Sequence, residues 1–118
     1  MSDEKHAFLT LLYERLNARD IDAAIAMLHP EVDWPNGWKG GREHGRDAVR
    51  AYWLAQWSEI DPQVVPQKTA TVGNGVVRVH VHQIVRDRTG TVISDSMVLH
   101  DYRFADGLVV QMDFGDIE

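Results

Sequence analysis

The chain has 118 residues, no cysteine and a formal charge of −6. That length suits a single domain, residues 1–118, large enough to bury a core without covalent staples. Without cysteine, disulfides, thiolate nucleophiles and zinc–thiolate sites are excluded; with no basic run, nothing attracts a nucleic-acid backbone.

The opening MSDEKHAFLTLLYERL is charged and amphipathic and lacks the apolar centre of a signal peptide. No apolar run approaches the ~18–20 residues of a membrane span. A cytoplasmic protein with no membrane partner is expected. Residues 4–18 read as a helix, with Phe8, Leu11, Leu12 and Leu16 on one side. A break at Asn17-Ala18-Arg19 leads to Asp20, a good N-cap residue. Ile21, Ala24, Ile25 and Leu28 then repeat at helical spacing, which predicts a second short helix ended by His29-Pro30. Glu31 to Trp34 can form a short strand.

Next comes WPNGWKGG, residues 34–41, with two tryptophans and three glycines in one loop. Glycine is costly to order and exposed tryptophan leaves apolar surface wet, so the loop either plugs a core or lines an opening. Residues 45–60 read as a third helix whose broad face carries Val49, Tyr52, Trp53, Gln56, Trp57 and Ile60, stopped by Asp61-Pro62. The apolar period then changes to two. Residues 64–72, 76–87, 91–105 and 108–114 read as Val- and Ile-rich strands. Gly73-Asn74-Gly75, Arg88-Thr89-Gly90 and Asp106-Gly107 supply tight turns, so the sheet should be antiparallel. The fold class is α+β, with three N-terminal helices packed on one face of a curved antiparallel sheet.

The stretches RDIDAAIAMLHPEVDW, HGRDAVRAYW and LHDYRFADGLVVQMDF resemble the NTF2-like superfamily, the cone-shaped fold of nuclear transport factor 2, steroid isomerases and SnoaL-like cyclases. The resemblance implies an apolar pocket between helices and sheet, and often a homodimer formed through the sheet. It places Trp34 and Trp38 at the pocket mouth and makes Tyr13, Tyr52, Trp53 and Tyr102 further expected ligand contacts.

Two activities known on this fold can be compared residue by residue. The steroid isomerase pattern needs an acidic base, a tyrosine and a protonated acid. Counted ungapped, those positions fall at Asn36, Leu12 and His100. That activity is not expected, although Tyr13 lies beside the tyrosine position. The chain also resembles limonene-epoxide hydrolases in WPN followed by GRDAV. There Asn36 matches the water-binding Asn, Trp34 replaces a Tyr, and Arg78-Val79-His80 stands for an Arg-x-Asp pair. Asp113 is then the candidate base, with His80 the proton donor and Arg78 holding both. An ungapped count from Asp106-Gly107 instead puts Phe114 at the base position, and one residue of slip reverses a side chain's face.

His80 and His82 form H-x-H on one face of a strand, with His100 on another strand. Three imidazoles could hold zinc, but short H-x-H patterns are common at surfaces, and no metal or other cofactor is expected. Val77, Val79 and Val81 occupy the opposite face. Asp95 and Asp101 fit polar alternation, and Ser94 and Ser96 have no base beside them. The reading adopted is a domain that binds a small, mostly apolar molecule. Its rivals are a cofactor-free enzyme of epoxide-hydrolase, isomerase or cyclase type, and a non-catalytic dimeric scaffold.

Overall fold

The computed structural model describes residues 2–116, with the side chains of residues 4–115. The element order is α1 (Ser2–Asn17), α2 (Ile21–Ile25), β1 (Leu28–Pro35), β2 (Arg42–His44), α3 (Arg46–Glu59), β3 (Ile60–Thr71), β4 (Val77–Asp87), β5 (Val92–Ala105) and β6 (Leu108–Asp116). The strands form one six-stranded sheet in the order β2-β1-β6-β5-β4-β3. The β3–β4, β4–β5 and β5–β6 pairs are antiparallel, as the tight turns require. Asp106 and Gly107 both take positive φ, 54° and 78°, matching the primed turn that suits a two-residue hairpin.

The α+β class holds, with two corrections. The helices are not all N-terminal, because β1 and β2 precede α3. The sheet is mixed, because β1 runs parallel to β6. Strand β2 escaped the sequence reading because Arg42-Glu43-His44 has no apolar alternation. Pairing with β1 through Asp33↔His44 and Pro35↔Arg42 makes it a strand. Arg42 fastens the three strands: its guanidinium donates to the Asp33 carboxylate at 2.7 Å, the Met112 carbonyl at 2.6 Å and the Asp113 carboxylate at 2.9 Å.

Helix α2 stops at Ile25, so Leu28 opens β1 rather than closing a helix. Asp20 occupies the N-cap position, but its side chain makes no capping bond. On α1 the buried stripe is Leu9, Leu12, Tyr13 and Leu16; Leu11 is 40% exposed and belongs to the opposite side. Helix α1 ends with Arg19 at φ 62°, its N–H bonded to the Leu16 carbonyl while the Asp20 N–H reaches Arg15. This is the Schellman arrangement, with arginine where glycine is usual.

Helix α3 ends at Glu59, ahead of Asp61-Pro62 as expected, but β3 already begins at Ile60, so the pair lies inside the strand. Strand β3 is an edge strand, where a missing N–H removes no ladder bond. The Asn17 amide docks against that free edge, donating to the Val64 carbonyl at 2.8 Å and accepting from its N–H at 2.9 Å. The core lies between α1, α3 and one sheet face, and Val77, Val79 and Val81 of β4 are fully buried there. Among the described residues, no helix is long and apolar enough to cross a membrane.

Candidate functional site

Alternation along three strands decides what faces the helices. Val77, Val79 and Val81 point inward, so Arg78, His80 and His82 point outward. Cross-strand register carries that choice along the sheet. Val79 pairs with His100 and Val77 with Tyr102, and His100 pairs in turn with Phe114. Those three side chains therefore share the inner face. Arg78 pairs with Asp101, and Asp101 with Asp113, so all three lie on the outer face.

The inner face and the helices enclose a cavity of about 210 Å³. From α1 come Tyr13 and Leu16, and from α3 come Tyr52, Trp53, Gln56 and Trp57. Strand β1 adds Trp34, β5 adds Val98, His100 and Tyr102, and β6 adds Met112 and Phe114. The indoles are mutually packed: Trp34 meets Trp53 edge-on at 5.3 Å, and Trp57 stacks on Trp53 at 6.1 Å. Phe114 is 53% exposed and stands at the rim. Arg19 also lines the rim. Its guanidinium pairs with Asp61, donates to the Pro62 carbonyl at 2.7 Å and covers the Trp57 ring. Those bonds hold the left-handed arginine in place.

At the cavity floor three polar side chains form one line. The Tyr102 hydroxyl donates to the Tyr13 oxygen at 2.7 Å, and that hydroxyl lies 2.8 Å from His100 Nδ1. Burial pushes both phenol pKa values up, so both stay protonated. Burial also lowers the His100 pKa to about 4, against a weaker upward pull from Asp101. The imidazole is therefore neutral at pH 7. Its Nε2 has no protein partner among the described residues and is not sealed off by protein atoms. Burial likewise raises Tyr52, despite its bonds to the Gly37 backbone and the Gln56 side chain. Among the described residues, no carboxylate lines the cavity.

The expected residues divide sharply. Tyr13, Trp34, Tyr52, Trp53, His100 and Tyr102 do converge on the cavity. Asp113, the candidate base, is on the outer face, held by Arg42 and by Gln111 Nε2 at 2.9 Å. Phe114 occupies the inward position, as the ungapped count gave. Arg78 forms a two-bond pair with Asp101, at 2.8 and 2.9 Å, on the outer face. His80 shares that face, so the Asn36, Arg78, His80 and Asp113 set does not assemble.

Asn36 is buried but spent within its loop. Its side chain accepts from the Trp38 and Lys39 N–H groups at 3.1 and 2.7 Å and donates to Glu43 at 3.0 Å. Trp38 lies outside the cavity, beside a shallow depression on α3, with the Lys39 ammonium 4.2 Å from its ring. The loop thus sends Trp34 inward and Trp38 outward. Gly40 and Gly41 take φ of 88° and 81°, a conformation other residues adopt at a cost, and they let the chain turn back toward β2. His82 bonds Asp95 at 2.6 Å on the outer face, away from His100. Among the described residues, no group of three or more His, Asp or Glu side chains is placed to hold a metal ion.

Sequence reasoning did not name Trp57, Arg19, Gln83 or Phe114 as site residues. Trp57 was within reach, since it follows Trp53 by four residues on the same helical face. Arg19 had no local signal, because its role depends on β3 folding back over it.

A six-stranded sheet that closes with helices over one aromatic-walled cavity is the NTF2-like architecture. Residues 9–112 match the family described as the SnoaL-like domain, and the chain belongs to that family. No curated protein matches it significantly in sequence. Among solved structures, it is similar to an NTF2-like protein of unknown function from Burkholderia pseudomallei. The identity is 23% and the TM-score 0.82, over 99% of this chain and 92% of that one. TerC, co-crystallised with polyporic acid, is 21% identical with a TM-score of 0.80, over 97% and 91% of the two chains. SalBIII, described as an epoxide hydrolase/cyclase-like enzyme in pyran ring formation in the polyether salinomycin, is 17% identical with a TM-score of 0.79, over 97% and 92%. At these identities the likeness is one of fold.

Proposed function

We propose that this protein binds a small, mostly apolar, ring-bearing molecule in the cavity between α1, α3 and the sheet, without a cofactor. The observation that carries the reading is the cavity wall: three packed indoles, three phenols and one neutral imidazole, with no carboxylate among the described residues. A volume of about 210 Å³ falls below the ~300–1,000 Å³ of drug-sized sites, which favours a compact ligand. Ring faces of Trp34, Trp53 and Trp57 would supply the contact, and His100 one oriented polar contact. The fold is shared with a protein crystallised with polyporic acid, which agrees with a ring-bearing ligand.

The test is a thermal-shift and calorimetric screen of aromatic ketones, quinones, terpenes, steroids and small epoxides. A ligand at a hundred times its Kd adds ~2.7 kcal/mol and moves the midpoint by several degrees. Trp53→Ala should abolish the shift. A flat response from the whole panel would retire the reading in favour of a scaffold whose cavity is only core.

His100 favours one second reading, an isomerase- or cyclase-like enzyme. A neutral imidazole can polarise a carbonyl as an electrophile. Among the described lining residues no carboxylate is present to act as the base. Turnover of a bound ketone that survives His100→Gln would end this reading. Epoxide hydrolysis through Asp113 draws no support from the geometry.

We also propose that two copies pair through the outer sheet face. Val65 and Met97, 41% and 42% exposed, flank His82 there in one row. Light scattering should give twice the monomer mass at micromolar concentration, and a monomer throughout would overturn the pairing.

A further inference from the structure

The floor of the cavity contains two hydroxyl hydrogens and a limited set of acceptors. Tyr102 is fully buried, and among the described residues its hydroxyl has one partner, the Tyr13 oxygen. Tyr13 is 1% exposed, and among the described residues its hydroxyl meets only Tyr102 and His100 Nδ1. The hydrogens along this line can be arranged in three ways; the one in which Nδ1–H and Tyr102 both donate to Tyr13 strands the Tyr13 hydrogen, which leaves two to compare. In the first, Tyr102 donates to Tyr13 and Tyr13 donates to Nδ1, so both phenol hydrogens are bonded. In the second, Nδ1–H donates to Tyr13 and Tyr13 to Tyr102, which strands the Tyr102 hydrogen in a dry core. A buried donor without an acceptor is strongly disfavoured, so the first arrangement prevails.

We propose that Tyr13 is a positioning residue that holds His100 as the Nε2–H tautomer, so that the cavity floor offers a fixed donor and selects an acceptor oxygen over a hydroxyl. The hydrogen bond at one ring nitrogen decides what the other presents. A ketone or ether oxygen accepts from Nε2–H and needs nothing more. An alcohol can accept the same bond, but its own hydrogen then needs a second acceptor in a wall made mostly of indole, phenyl and aliphatic side chains. His100 cannot turn to accept that hydrogen while Tyr13 occupies Nδ1. Tyr102 reinforces this direction but is not needed for it. Without its hydroxyl, the Tyr13 hydrogen still has no acceptor other than Nδ1.

The selectivity half of this proposal rests on the ligand-binding reading; the tautomer half does not. The experiment therefore has two arms. In the first, nitrogen NMR on the ligand-free protein at pH 7 reads the His100 tautomer. The expected result is a single Nε2–H form in the wild type and in Tyr102→Phe, and a mixture in Tyr13→Phe. Protonated Nδ1 in the wild type overturns the lock even if no variant folds. Loss of the single form in Tyr102→Phe to the same degree as in Tyr13→Phe overturns it too, because a general packing role would make the two equal.

In the second arm, calorimetry compares 1-tetralone with 1-tetralol. The wild type and Tyr102→Phe should prefer the ketone by roughly tenfold or more, and Tyr13→Phe should bring the ratio toward one. An equal ratio in all three proteins overturns the selectivity. Failure of both probes to bind overturns the selectivity as well, and counts against the binding reading, while the spectra still decide the tautomer.

Discussion

The two faces of β4, β5 and β6 are built from alternate residues of the same strands, yet they follow opposite rules. The inner face is dry: valines, Met112 and Tyr102, with polar atoms bonded in a neutral line from Tyr102 through Tyr13 of α1 to His100. The outer face is wet and charged, with Arg78 paired to Asp101, His82 to Asp95 and Arg42 to Asp113. The His100 pKa is lowered to about 4 by burial inside, whereas Asp101 and Asp113 outside sit beside Arg78 and Arg42. Chemistry on this protein is therefore assigned less by residue type than by parity in the strand.

The contrast is broken most severely from within. Trp53→Ala removes a side chain that is 3% exposed and packs against two other indoles. It should cost about 3–5 kcal/mol in urea unfolding. A loss below about 1 kcal/mol would mean the aromatic wall contributes little to the fold.

A change of pH probes the same interior. The folded His100 pKa of about 4 lies below the ordinary 6.5. The unfolded chain therefore binds more protons between those values, and stability rises with pH. The contribution is fully present above pH 6.5 and is lost as pH falls through about 4, where it amounts to about 3 kcal/mol at one unit per 1.36 kcal/mol. His100→Gln should flatten that part of the curve, and an NMR titration of His100 with a midpoint near 6.5 would contradict it.

Neighbouring residues then test the parity itself. Phe114→Ala opens the cavity rim and should change ligand dissociation several-fold. Asp113→Asn should leave binding untouched and cost at most about 1 kcal/mol, since its ion pair is half exposed. The reverse ranking in stopped-flow and calorimetry would restore Asp113 as a site residue. The smallest effect is expected for His80→Ala, within about 0.5 kcal/mol and with unaltered ligand affinity.

Much of this division was legible in the sequence. Alternation located all four long strands, and the spacing of Val49, Trp53 and Trp57 predicted the inward side of α3. The family resemblance brought Trp34, Tyr13 and Tyr102 to the pocket. Alternation alone leaves the sign of each face open, and that is why Asp113 was taken over Phe114. A one-residue offset is invisible until strands are paired, and β5–β6 carries an irregularity between Arg103 and Phe104. Pro62 marks the end of α3 as expected but hides the start of β3, because its tolerance in a strand depends on β3 being at the edge, which is a property of the whole sheet. Asn36 matched a catalytic asparagine in type and position, but its oxygen was claimed by the two N–H groups that follow it.

Asn17 has a consequence for how the molecule meets its neighbours. An edge strand as long as β3, Ile60–Thr71, would ordinarily be a template on which another chain could extend the sheet. Here the template is interrupted. Pro62 has no N–H and its carbonyl is taken by Arg19; both backbone groups of Val64 are taken by Asn17; Pro66 again has no N–H. Growth of the sheet past this part of β3 is closed by two side chains, one from the end of the first helix and one from the turn after it.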